Sequence, residues 1–286
     1  MSIVKKHFPV FTIVTVTLNN YAGLQKTYNS IESQDFEDFE WIVIDGGSTD
    51  ETVEFLRAKR SATRTALNPF RFVSESDEGI YDAMNTGIKE ARGRYILFLN
   101  AGDQLASSDI LSVIAPFTEK KPAFIYGDSL EPPIKKKQEH IYKKARRYKD
   151  LKWGMITHHQ AMIYNRLVIR DHKLHYSLLY EIASDYDFTL RFLQKSKKML
   201  YIPRPICIFE QGGISQQKAS KGRYEQYLIR ENLEIVSQTQ NLWIGFIQIL
   251  SWRLKTISPP LYRFLKSLIL AWKERKVTKK SKKPTS

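Results

Sequence analysis

Apolar and polar positions alternate with two different periods along about the first 100 residues of the chain. Short runs of β-branched and aromatic residues predict buried strands, and apolar residues spaced three or four apart predict amphipathic helices between them. This strand–helix order predicts an α/β fold in which a mostly parallel sheet is flanked by helices on both faces. The predicted strands are 11–18, 40–45, 70–73 and 95–99, and the predicted helices are 21–33, one that begins at Ser48, and 80–91.

The start of the second helix carries a specific signal. Ser48 stands where the side chain of an N-cap residue would bind a free backbone N–H group, and Glu51 follows three residues later. This spacing is that of a capping box, in which the two residues satisfy each other's backbone donors. The sequence therefore predicts that the helix begins at Ser48.

The second half of the chain is less regular. The segment from about 120 to 152 is basic and contains Pro132 and Pro133. We expect loops or a hairpin beside the sheet, with a solvated basic face. The other predicted elements are strands at 161–164 and 199–202, a helix at 184–193 and a flexible loop at 211–215.

Polar residues follow each of the four predicted strands of the first half. Asn19, Asp45, Asp77 and Asp103 stand at or just beyond the carboxyl ends of these strands. In open α/β sheets, ligands bind outside the carboxyl ends of the strands. Any one of these residues would suit an ordinary turn, but four of them together favour a binding site at this edge.

Composition and charge narrow the class of protein. Of the 286 residues, 42% are hydrophobic and 26% are charged, as in an ordinary folded protein. The single cysteine, Cys207, excludes an internal disulfide framework and favours a reducing compartment. The formal net charge is +15, and the segment 251–286 holds eleven Lys or Arg residues and one acid, Glu274. Such a chain predicts an anionic partner: phosphates, nucleic acid or a lipid surface.

The C-terminal region predicts a different kind of structure. Two apolar segments, 242–250 and 261–272, are separated by Pro259 and Pro260 and have basic residues within or beside them. Neither reaches the roughly 20 uninterrupted apolar residues that a transmembrane helix needs. Aromatic and basic residues together are typical of helices that lie on an anionic membrane surface. A helical hairpin packed on the core, with a solvated tail, is the alternative.

These patterns predict the domain organisation and the location of the protein. We expect one α/β domain over residues 1–220 and an amphipathic, basic, helical region over 221–286. The N-terminal residues lack the long apolar segment of a secretory signal. The protein is therefore expected to be cytoplasmic and peripheral on the inner face of the cytoplasmic membrane.

Five motifs occur in a fixed order within residues 8–215. Together they resemble glycosyltransferase family 2, whose members have the GT-A fold. The third and fourth motifs resemble a subgroup found in bacterial O-antigen and exopolysaccharide synthesis. The motifs are TIVTVTLN at 12–19, VIDGGSTD at 43–50, DEGIYDAMNTG at 77–87, GRYILFLNAGD at 93–103 and ASDYDF at 183–188.

The resemblance implies a nucleotide-sugar site at the strand ends. Thr17 and Asn19 would line the nucleotide base, and Asp45 would accept a hydrogen bond from a base N–H group. Asp77 would lie near the base or the ribose. The residues implied for nucleotide-sugar binding are Thr17, Asn19, Asp45, Asp77, Tyr81, Asp82, Asn100, Asp103 and His159.

The resemblance also implies a divalent cation on the donor diphosphate, held at the family's Asp-x-Asp position. Asn100 and Gly102 stand where the usual acids would be, so Asp103 is the only charged metal ligand that the motif supplies. Oxygen ligands suit Mg²⁺ or Mn²⁺, and either ion would offset the charge that builds on the departing nucleoside diphosphate. We therefore expect Mg²⁺ or Mn²⁺ as the cofactor.

The fifth motif implies the catalytic base. In an inverting transfer a base takes the proton of the acceptor hydroxyl, and Asp185 aligns with the catalytic acid of the family. Asp185 would also suit a helix N-cap, and Asp187 is the nearest competitor. His159 would face the acceptor or the phosphate, or have only a structural role. The loop that begins at Gly212 would close over the diphosphate or form a plain turn.

The sequence thus predicts an inverting glycosyltransferase of bacterial surface polysaccharide synthesis. Its expected partners are a nucleotide-sugar donor, with a UDP-sugar favoured, a polyprenyl-diphosphate-linked saccharide acceptor and an anionic membrane surface, with no nucleic acid. A nicotinamide oxidoreductase would need G-x-G-x-x-G after the first strand, which here is followed by NNYAG. Two alternatives remain open: a catalytically inactive scaffold of the same fold, and a basic nucleic-acid-binding protein.

Overall fold

The structure, a computed structural model, describes residues 8–62, 69–133, 138–196, 198–258 and 260–261. The strands are β1 Phe11–Thr17, β2 Phe39–Asp45, β3 Phe70–Ser74, β4 Tyr95–Phe98, β5 Gln104–Leu105, β6 Phe124–Glu131, β7 Ile141–Lys143, β8 Met162–Asn165 and β9 Met199–Ile208. The α-helices are α1 Tyr21–Glu32, α2 Thr52–Ala62, α3 Ile80–Glu90, α4 Ile110–Thr118, α5 Arg166–Asp171, α6 Ser184–Lys195, α7 Ile214–Gln217, α8 Ala219–Asn232 and α9 Gln238–Ile257.

All of the strands belong to one sheet, in the order β3-β2-β1-β4-β8-β6-β9-β5, with β7 paired to β6. The first four strands pair in parallel, as their alternation with helices predicts. Their carboxyl ends therefore lie at one edge of the sheet. The second half is mixed, because β8 runs antiparallel to both β4 and β6, whereas β6 and β9 are parallel.

The parallel half is built around β1. Every residue of this strand is buried, as expected for a central strand covered on both faces. Helix α3 packs closely on it, because a Cβ added at Gly87 would lie only 2.3 Å from Cγ1 of Val14. Only glycine allows this approach, which fixes α3, and with it the third sequence motif, against the central strand.

The predicted start of α2 is wrong. The helix begins at Thr52, whose backbone N–H donates to Oδ1 of Asp50 at 3.1 Å. The hydroxyl and the backbone N–H of Ser48 both donate to Asp45 instead. Ser48 therefore forms part of the turn that follows β2, and the capping box expected from its spacing with Glu51 does not form.

The prediction that the segment 120–152 forms loops or a hairpin beside the sheet is also partly wrong. Residues Phe124–Glu131 form β6, an interior strand that pairs with β8 and β9, and β7 completes a hairpin with it. The first six residues of β6 are buried. The strand was not predicted because a basic, irregular stretch follows it directly in the sequence. Residues 134–137 of that stretch lie outside the described residues.

A buried ion pair ties the first three strands to the turn before β4. The Glu40 side chain is 1% exposed, and its Oε2 lies 2.9 Å from Nη2 of Arg71. Its Oε1 accepts hydrogen bonds from the Thr12 hydroxyl at 2.6 Å and from the backbone N–H groups of Arg92 and Gly93 at 2.6 and 3.1 Å. Glu40 therefore has partners on both carboxylate oxygens.

We expect Glu40→Ala to lower the free energy of unfolding by about 3–5 kcal/mol, because it leaves a partly buried guanidinium and several backbone donors without their acceptor. Urea denaturation followed by circular dichroism measures the change. Glu119→Ala is the matched control, since its carboxylate is 75% exposed and 3.5 Å from Arg94. The control should change stability by less than about 1 kcal/mol. Equal effects of the two substitutions would contradict the prediction.

The chain divides into two compact units, Met1–Gln226 and Tyr227–Ser286. The boundary expected at 220/221 falls inside α8 and stays a prediction. In the second unit, α9 contains the whole first apolar tail segment, 242–250, and the second segment, 261–272, lies outside the described residues except for Leu261. No helix in the described part of the chain is long and apolar enough to cross a membrane.

Candidate active site

A cavity of about 420 Å³ lies at the carboxyl ends of β1 and β4. The start of α3, the start of α6 and the segment 209–215 complete its wall; the last two residues of the flexible loop predicted at 211–215 begin α7 instead. Of the residues that the sequence implies for the site, it brings together six: Thr17, Tyr81, Asn100, Asp103, His159 and Asp185. Asn19, Asp45, Asp77 and Asp82 are not among the residues that line it.

Asp103 is held rigidly in the floor of this cavity. It is 3% exposed; its Oδ1 accepts the backbone N–H of Glu210 at 2.8 Å, and its Oδ2 accepts Nε2 of Gln160 at 2.6 Å. Burial raises the pKa of Asp103 to about 7, although both hydrogen bonds favour the charged form. Because an ionised carboxylate has about four acceptor positions, Asp103 keeps lone pairs for a further ligand.

Several buried polar atoms on the cavity wall have no hydrogen-bond partner. They are Oγ1 of Thr17, Oδ1 of Asn100, Nε2 of His159 and Oε1 of Gln160. Leaving a buried polar group unpaired costs about 1–3 kcal/mol, so such groups are rare in the absence of a ligand or water. Their concentration around one cavity marks it as a ligand site.

Helix α6 carries Asp185 to the wall of the cavity. Phe188, one turn further along α6, is fully buried and stacks on Tyr176 with 4.4 Å between ring centroids. Thr189 donates to the backbone oxygen of Asp185 at 2.7 Å and contacts the buried Tyr164 hydroxyl at 2.8 Å. The carboxylate of Asp185 therefore stands on a helix whose opposite face is fixed in an aromatic cluster.

The protonation of Asp185 suits a base. Burial raises the pKa of Asp185 to about 6, so the carboxylate is charged at neutral pH and is a stronger base than an exposed one. His159 lies beside it, with 3.8 Å between Nδ1 and Oδ2. Burial lowers the pKa of His159 to about 3, so the imidazole is neutral and offers a hydrogen-bonding nitrogen rather than a charge.

The two competing interpretations of this segment can be compared with the structure. Asp187 is 4% exposed, and its Oδ2 accepts both Nε and Nη2 of Arg191 at 2.8 and 2.6 Å, so its carboxylate is already paired with a cation. Asp185 is not the N-cap of α6, a position that Ala183 takes; it lies in the first turn, where its Oδ1 accepts the backbone N–H of Tyr186 at 2.7 Å. Its Oδ2, the oxygen nearer His159, remains available to accept a proton.

The third sequence motif holds the segment that precedes α6. The Tyr81 hydroxyl donates to the backbone oxygen of Ile182 at 2.6 Å. The Asn85 side chain bonds both the N–H and the C=O of Tyr176, at 2.7 and 2.9 Å. Asp82 accepts the backbone N–H of Glu78 at 3.2 Å, at the turn that starts α3. The motif thus positions the chain that leads to Asp185.

Glu225, on α8, holds the same segment from the other side. Its buried carboxylate accepts three successive backbone N–H groups, those of Glu181, Ile182 and Ala183, at 3.1, 2.9 and 2.8 Å. Successive N–H groups that converge in this way form an anion-binding nest, and here a side chain fills it. No local pattern indicates this role, because Glu225 is one of several charged residues on its helix.

We expect Glu225→Ala to lower the kcat of the sugar transfer expected from the sequence at least about tenfold, because three buried N–H donors lose their acceptor and the start of α6 shifts. Steady-state rates and the thermal unfolding midpoint are measured together. Glu225→Gln should recover part of the rate, because its one side-chain oxygen can still accept from Ile182 and Ala183. Glu231→Ala, at an exposed position on the same helix, is the control. An unchanged kcat in Glu225→Ala would contradict the prediction.

The remaining predicted residues form the adjoining strand ends. Asn19 has a φ of 49° and accepts the Thr49 N–H at 2.8 Å, so it joins the loops after β1 and β2. Asp45 is fully buried and also accepts the Ser74 hydroxyl at 2.7 Å. The Asp77 carboxylate packs over Gly46, since a Cβ there would lie 2.6 Å from Oδ2. These ends form a continuous edge beside the cavity.

Two residues of the cavity were missed from sequence. Gln160 directly follows the two histidines, and this His-His-Gln run was the available signal. Glu210 follows the end of β9, and its side chain forms an ion pair with Lys26 at 2.9 Å. Nothing local distinguishes Glu210 from an ordinary loop residue. Its contact with Asp103, 107 positions away, arises from the pairing of β9 with β5.

The possible metal-ligating atoms of this cavity suit a hard divalent cation only in part. No group of three or more His, Cys, Asp or Glu side chains that could hold a metal occurs among the residues described. The unpartnered Oδ1 of Asn100 and the carboxylate of Asp103 are nevertheless oxygen donors on one loop. Mg²⁺ is usually held by one or two carboxylates together with substrate phosphates and water, so these residues fit such a shared site.

Comparison with curated proteins finds relatives among bacterial glycosyltransferases. A PGL/p-HBAD biosynthesis glycosyltransferase of Mycobacterium bovis is 32% identical over 198 residues, which cover 64% of this chain and 69% of the relative. A GalNAc(5)-diNAcBac-PP-undecaprenol beta-1,3-glucosyltransferase of Campylobacter jejuni is 30% identical over 125 residues, 43% of this chain and 38% of the relative.

Solved structures share the fold. Staphylococcus aureus TarS in complex with UDP-GlcNAc superimposes with a TM-score of 0.63 at 17% identity, covering 87% of this chain and 73% of TarS. The mannosyltransferase PcManGT of Pyrobaculum calidifontis, in complex with GDP-Man and Mn²⁺, gives a TM-score of 0.62 at 15% identity, covering 93% and 81%. The GT-A-type α/β fold expected from the sequence is confirmed.

The match to a family extends over most of the α/β domain. The family model described as Glycosyl transferase family 2 matches residues 12–208, which run from β1 to the end of β9. This range includes all five motifs noted in the sequence, and it contains Asp103 and Asp185. The chain therefore belongs to glycosyltransferase family 2.

Proposed function

We propose that this glycosyltransferase moves a sugar from a nucleotide-sugar donor to a saccharide hydroxyl with inversion at the anomeric carbon. The observation that carries the proposal is the position of Asp185, a carboxylate with a raised pKa on the wall of a cavity that also contains Asp103. An inverting transfer needs one base near the anomeric carbon and charge stabilisation at the leaving diphosphate. This cavity offers a candidate for each task.

The donor is proposed to lie along the sheet edge. The nucleoside would contact Thr17 and Asn19 and the strand ends that carry Asp45 and Asp77, and the diphosphate would lie near Asp103. TarS and PcManGT, which share the fold, are bound to UDP-GlcNAc and GDP-Man respectively. A UDP-sugar remains the favoured donor.

The charges on the cavity wall support a divalent cation. Four acids line it, Asp103, Glu181, Asp185 and Glu210, whereas neither Lys nor Arg occurs among the described residues of its lining. A diphosphate would be repelled by this wall unless a cation stood between them. We propose that Asp103 and Asn100 hold Mg²⁺ or Mn²⁺, which when bound supplies electrostatic stabilisation of the leaving diphosphate.

The proton moves to Asp185. The acceptor hydroxyl donates a hydrogen bond to the free carboxylate oxygen of Asp185 and transfers its proton there as the hydroxyl oxygen bonds to the anomeric carbon. The bond from that carbon to the diphosphate breaks, and the nucleoside diphosphate takes the electron pair. His159 lies beside the carboxylate of Asp185 but is neutral. It therefore does not form an ion pair with the base, which retains its negative charge.

The acceptor is proposed to be a polyprenyl-diphosphate-linked saccharide of surface polysaccharide synthesis, reached from an anionic membrane. Helix α9 supports this, because it contains no Asp or Glu and exposes an apolar face of residues spaced three or four apart. Trp243 and Phe246 on this face are 58% and 55% exposed, and their rings stack at 5.7 Å. The basic segment that follows would add electrostatic attraction.

We expect the double variant Trp243→Glu, Phe246→Glu to lose most of its binding to vesicles that contain phosphatidylglycerol, because it places charge in the apolar face. Vesicle sedimentation measures the bound fraction. The matched control is Gln238→Glu, Gln240→Glu, which adds the same charge at exposed polar positions of the same helix. Equal binding by the two double variants, or no binding by the unaltered protein, would rule out this docking face.

Donor hydrolysis is the test of the function itself. The purified protein is incubated with Mg²⁺ or Mn²⁺ and a panel of UDP-, GDP- and dTDP-sugars, and release of the nucleoside diphosphate is followed. Release from one donor, lost in Asp185→Ala, would support the transferase. No release together with no binding of any donor would instead favour an inactive scaffold of the same fold.

A further inference from the structure

A second cavity, of about 320 Å³, adjoins the first on the side of α8. The two cavities share the wall formed by His159, Gln160, Ile182, Asp185 and Phe209. The second cavity is within the size range of small-ligand pockets, about 300–1,000 Å³. Asp185 is thus reached from both sides, from the strand ends in one cavity and from α8 in the other.

Hydrogen-bonding atoms without partners lie around this second cavity. They are Oγ1 of Thr157, Nε2 of His159 and Oε1 of Gln160, and Gln160 is 1% exposed. A hydroxyl donates and accepts, an amide oxygen accepts, and a neutral imidazole nitrogen does one or the other according to its tautomer. This mixture suits a ligand whose own groups both donate and accept, as the hydroxyls of a sugar do.

The charges fit a neutral ligand better than an ion. Arg223 and Asp185, one basic and one acidic residue, are among the lining residues, and burial lowers the pKa of both His158 and His159. The imidazole of His158 is stacked flat on the Phe209 ring, with 4.1 Å between centroids. The cavity therefore offers hydrogen bonds and ring surfaces with a balanced charge.

Helix α8 is fixed as the outer wall of this cavity. A Cβ at Gly222 would lie 2.9 Å from Cγ2 of Ile182, so the helix approaches the segment before α6 as closely as glycine allows. The Glu225 carboxylate holds the same segment through three backbone N–H groups. The distance across the cavity, from α8 to Asp185, is therefore set by packing and is not left to a loose loop.

We propose that the second cavity is the acceptor subsite, and that it takes a neutral pyranose ring with one hydroxyl against Asp185. The proposal rests on the function proposed above and assigns its acceptor half to Thr157, Gln160 and the inner face of α8. Because Asp185 belongs to the wall that the two cavities share, an acceptor hydroxyl against it would also lie next to a donor sugar in the first cavity.

Binding of simple sugars tests the subsite directly. The protein is crystallised with UDP and Mn²⁺ in the presence of the methyl β-glycosides of glucose, galactose and N-acetylglucosamine, with methyl glucuronide as the anionic probe. We expect a neutral ring in the second cavity, with one hydroxyl at hydrogen-bond distance from Asp185. A ring seated elsewhere, no ring from any glycoside, or binding of the glucuronide alone would overturn the proposal.

Transfer kinetics give a second, independent measurement. Ala219→Trp fills the second cavity from α8 at a half-buried position, and it should lower kcat/KM for the bound methyl glycoside at least about tenfold. Thr157→Val should raise the KM for that glycoside about fivefold, the effect of one lost hydrogen bond. Tyr224→Trp, at a 63% exposed position of α8, is the matched control and should change neither value more than about twofold.

The outcomes separate the subsite from the underlying function. If a donor is turned over and Ala219→Trp transfers to the glycoside as well as the unaltered protein does, the subsite is wrong while the transferase stands. If the unaltered protein neither binds nor hydrolyses any donor of the panel, the proposed function fails and takes the acceptor role with it. Donor affinity measured by calorimetry in Ala219→Trp should stay within about twofold, which shows that the block acts on the acceptor side.

Discussion

Asp185→Asn is expected to lower the kcat of sugar transfer about a thousandfold while leaving donor affinity nearly unchanged. Removing a general base costs about 10²–10⁴ in rate, and the amide cannot take the hydroxyl proton. The substitution keeps the shape of the side chain, and Oδ1 can still accept the Tyr186 N–H as it does at 2.7 Å. Single-turnover transfer and calorimetric donor titration separate the rate from the affinity.

The pH profile gives the same prediction a second measurement. Because burial raises the pKa of Asp185 to about 6, the carboxyl is protonated below that pH and ionised above it. The activity of a base therefore falls about tenfold per pH unit below the pKa and reaches a plateau above it. We expect kcat/KM for the acceptor to show this acidic limb near pH 6, and Asp185→Asn to lack it.

A surface carboxylate supplies the control. Asp171→Asn alters a side chain that is 56% exposed beside Arg170, and it should leave the rate and the pH profile as they are. If Asp185→Asn transferred sugar within about tenfold of the unaltered rate, Asp185 would not be the base. In that case its contact with Tyr186 would be its main role, that of a residue at a helix start.

The fold of the parallel half was predictable because each strand and helix has its own local signal. β1 is a run of β-branched and aromatic residues, and β4 is a continuous apolar run. Gly87 and Gly93 lie where α3 and the turn before β4 meet β1. β6 has no such local signal, because its buried residues are followed directly by a polar, basic stretch. Its place in the sheet is decided by pairing with β8 and β9, which the local sequence does not encode.

The residues of the site divide in the same way into those that a local motif predicts and those that only distant contacts bring in. Asp103 and Asp185 were found because each ends or begins an element in a recognisable motif. Gln160, Glu210 and Glu225 act through partners 57, 107 and 42 or more positions away, so no local pattern reveals them. Ser48 shows the opposite error, in which a local pattern predicts a contact that does not form. Its spacing with Glu51 is that of a capping box, but its hydroxyl donates to Asp45 instead.

The acidic wall of the first cavity determines what else must be present for a diphosphate to bind. Glu181 and Glu210 have cationic partners at the rim, Lys218 with Lys221 and Lys26 respectively. Asp103 has none of these; its partners are an amide and a backbone N–H group. Asp185 also lacks a cationic partner, since His159 is neutral, but Asp103 shares its loop with the unpartnered Oδ1 of Asn100, so a divalent cation would find two oxygen ligands there.

For that reason Asp103→Asn is expected to weaken Mn²⁺ binding at least about tenfold and to lower kcat/KM for the donor about a hundredfold, because the cation loses its charged ligand. The protein should remain folded, since an Asn oxygen can accept the Glu210 N–H and Gln160 can turn its own oxygen toward the Asn amide. Titration of free Mn²⁺ by electron paramagnetic resonance measures the affinity, and a thermal unfolding midpoint checks the fold.

The unaltered protein adds a pH test of the same ligand. Because burial raises the pKa of Asp103 to about 7, protons compete with the cation below that pH, and the apparent affinity for Mn²⁺ should fall about tenfold per unit there. Asp103→Asn should abolish this dependence. Asp109→Asn, which removes a carboxylate that is 42% exposed beside Arg204, is the control and should keep it. Equal Mn²⁺ affinity in Asp103→Asn and the unaltered protein would show that the cation, if one is used, is held by the donor and not by Asp103.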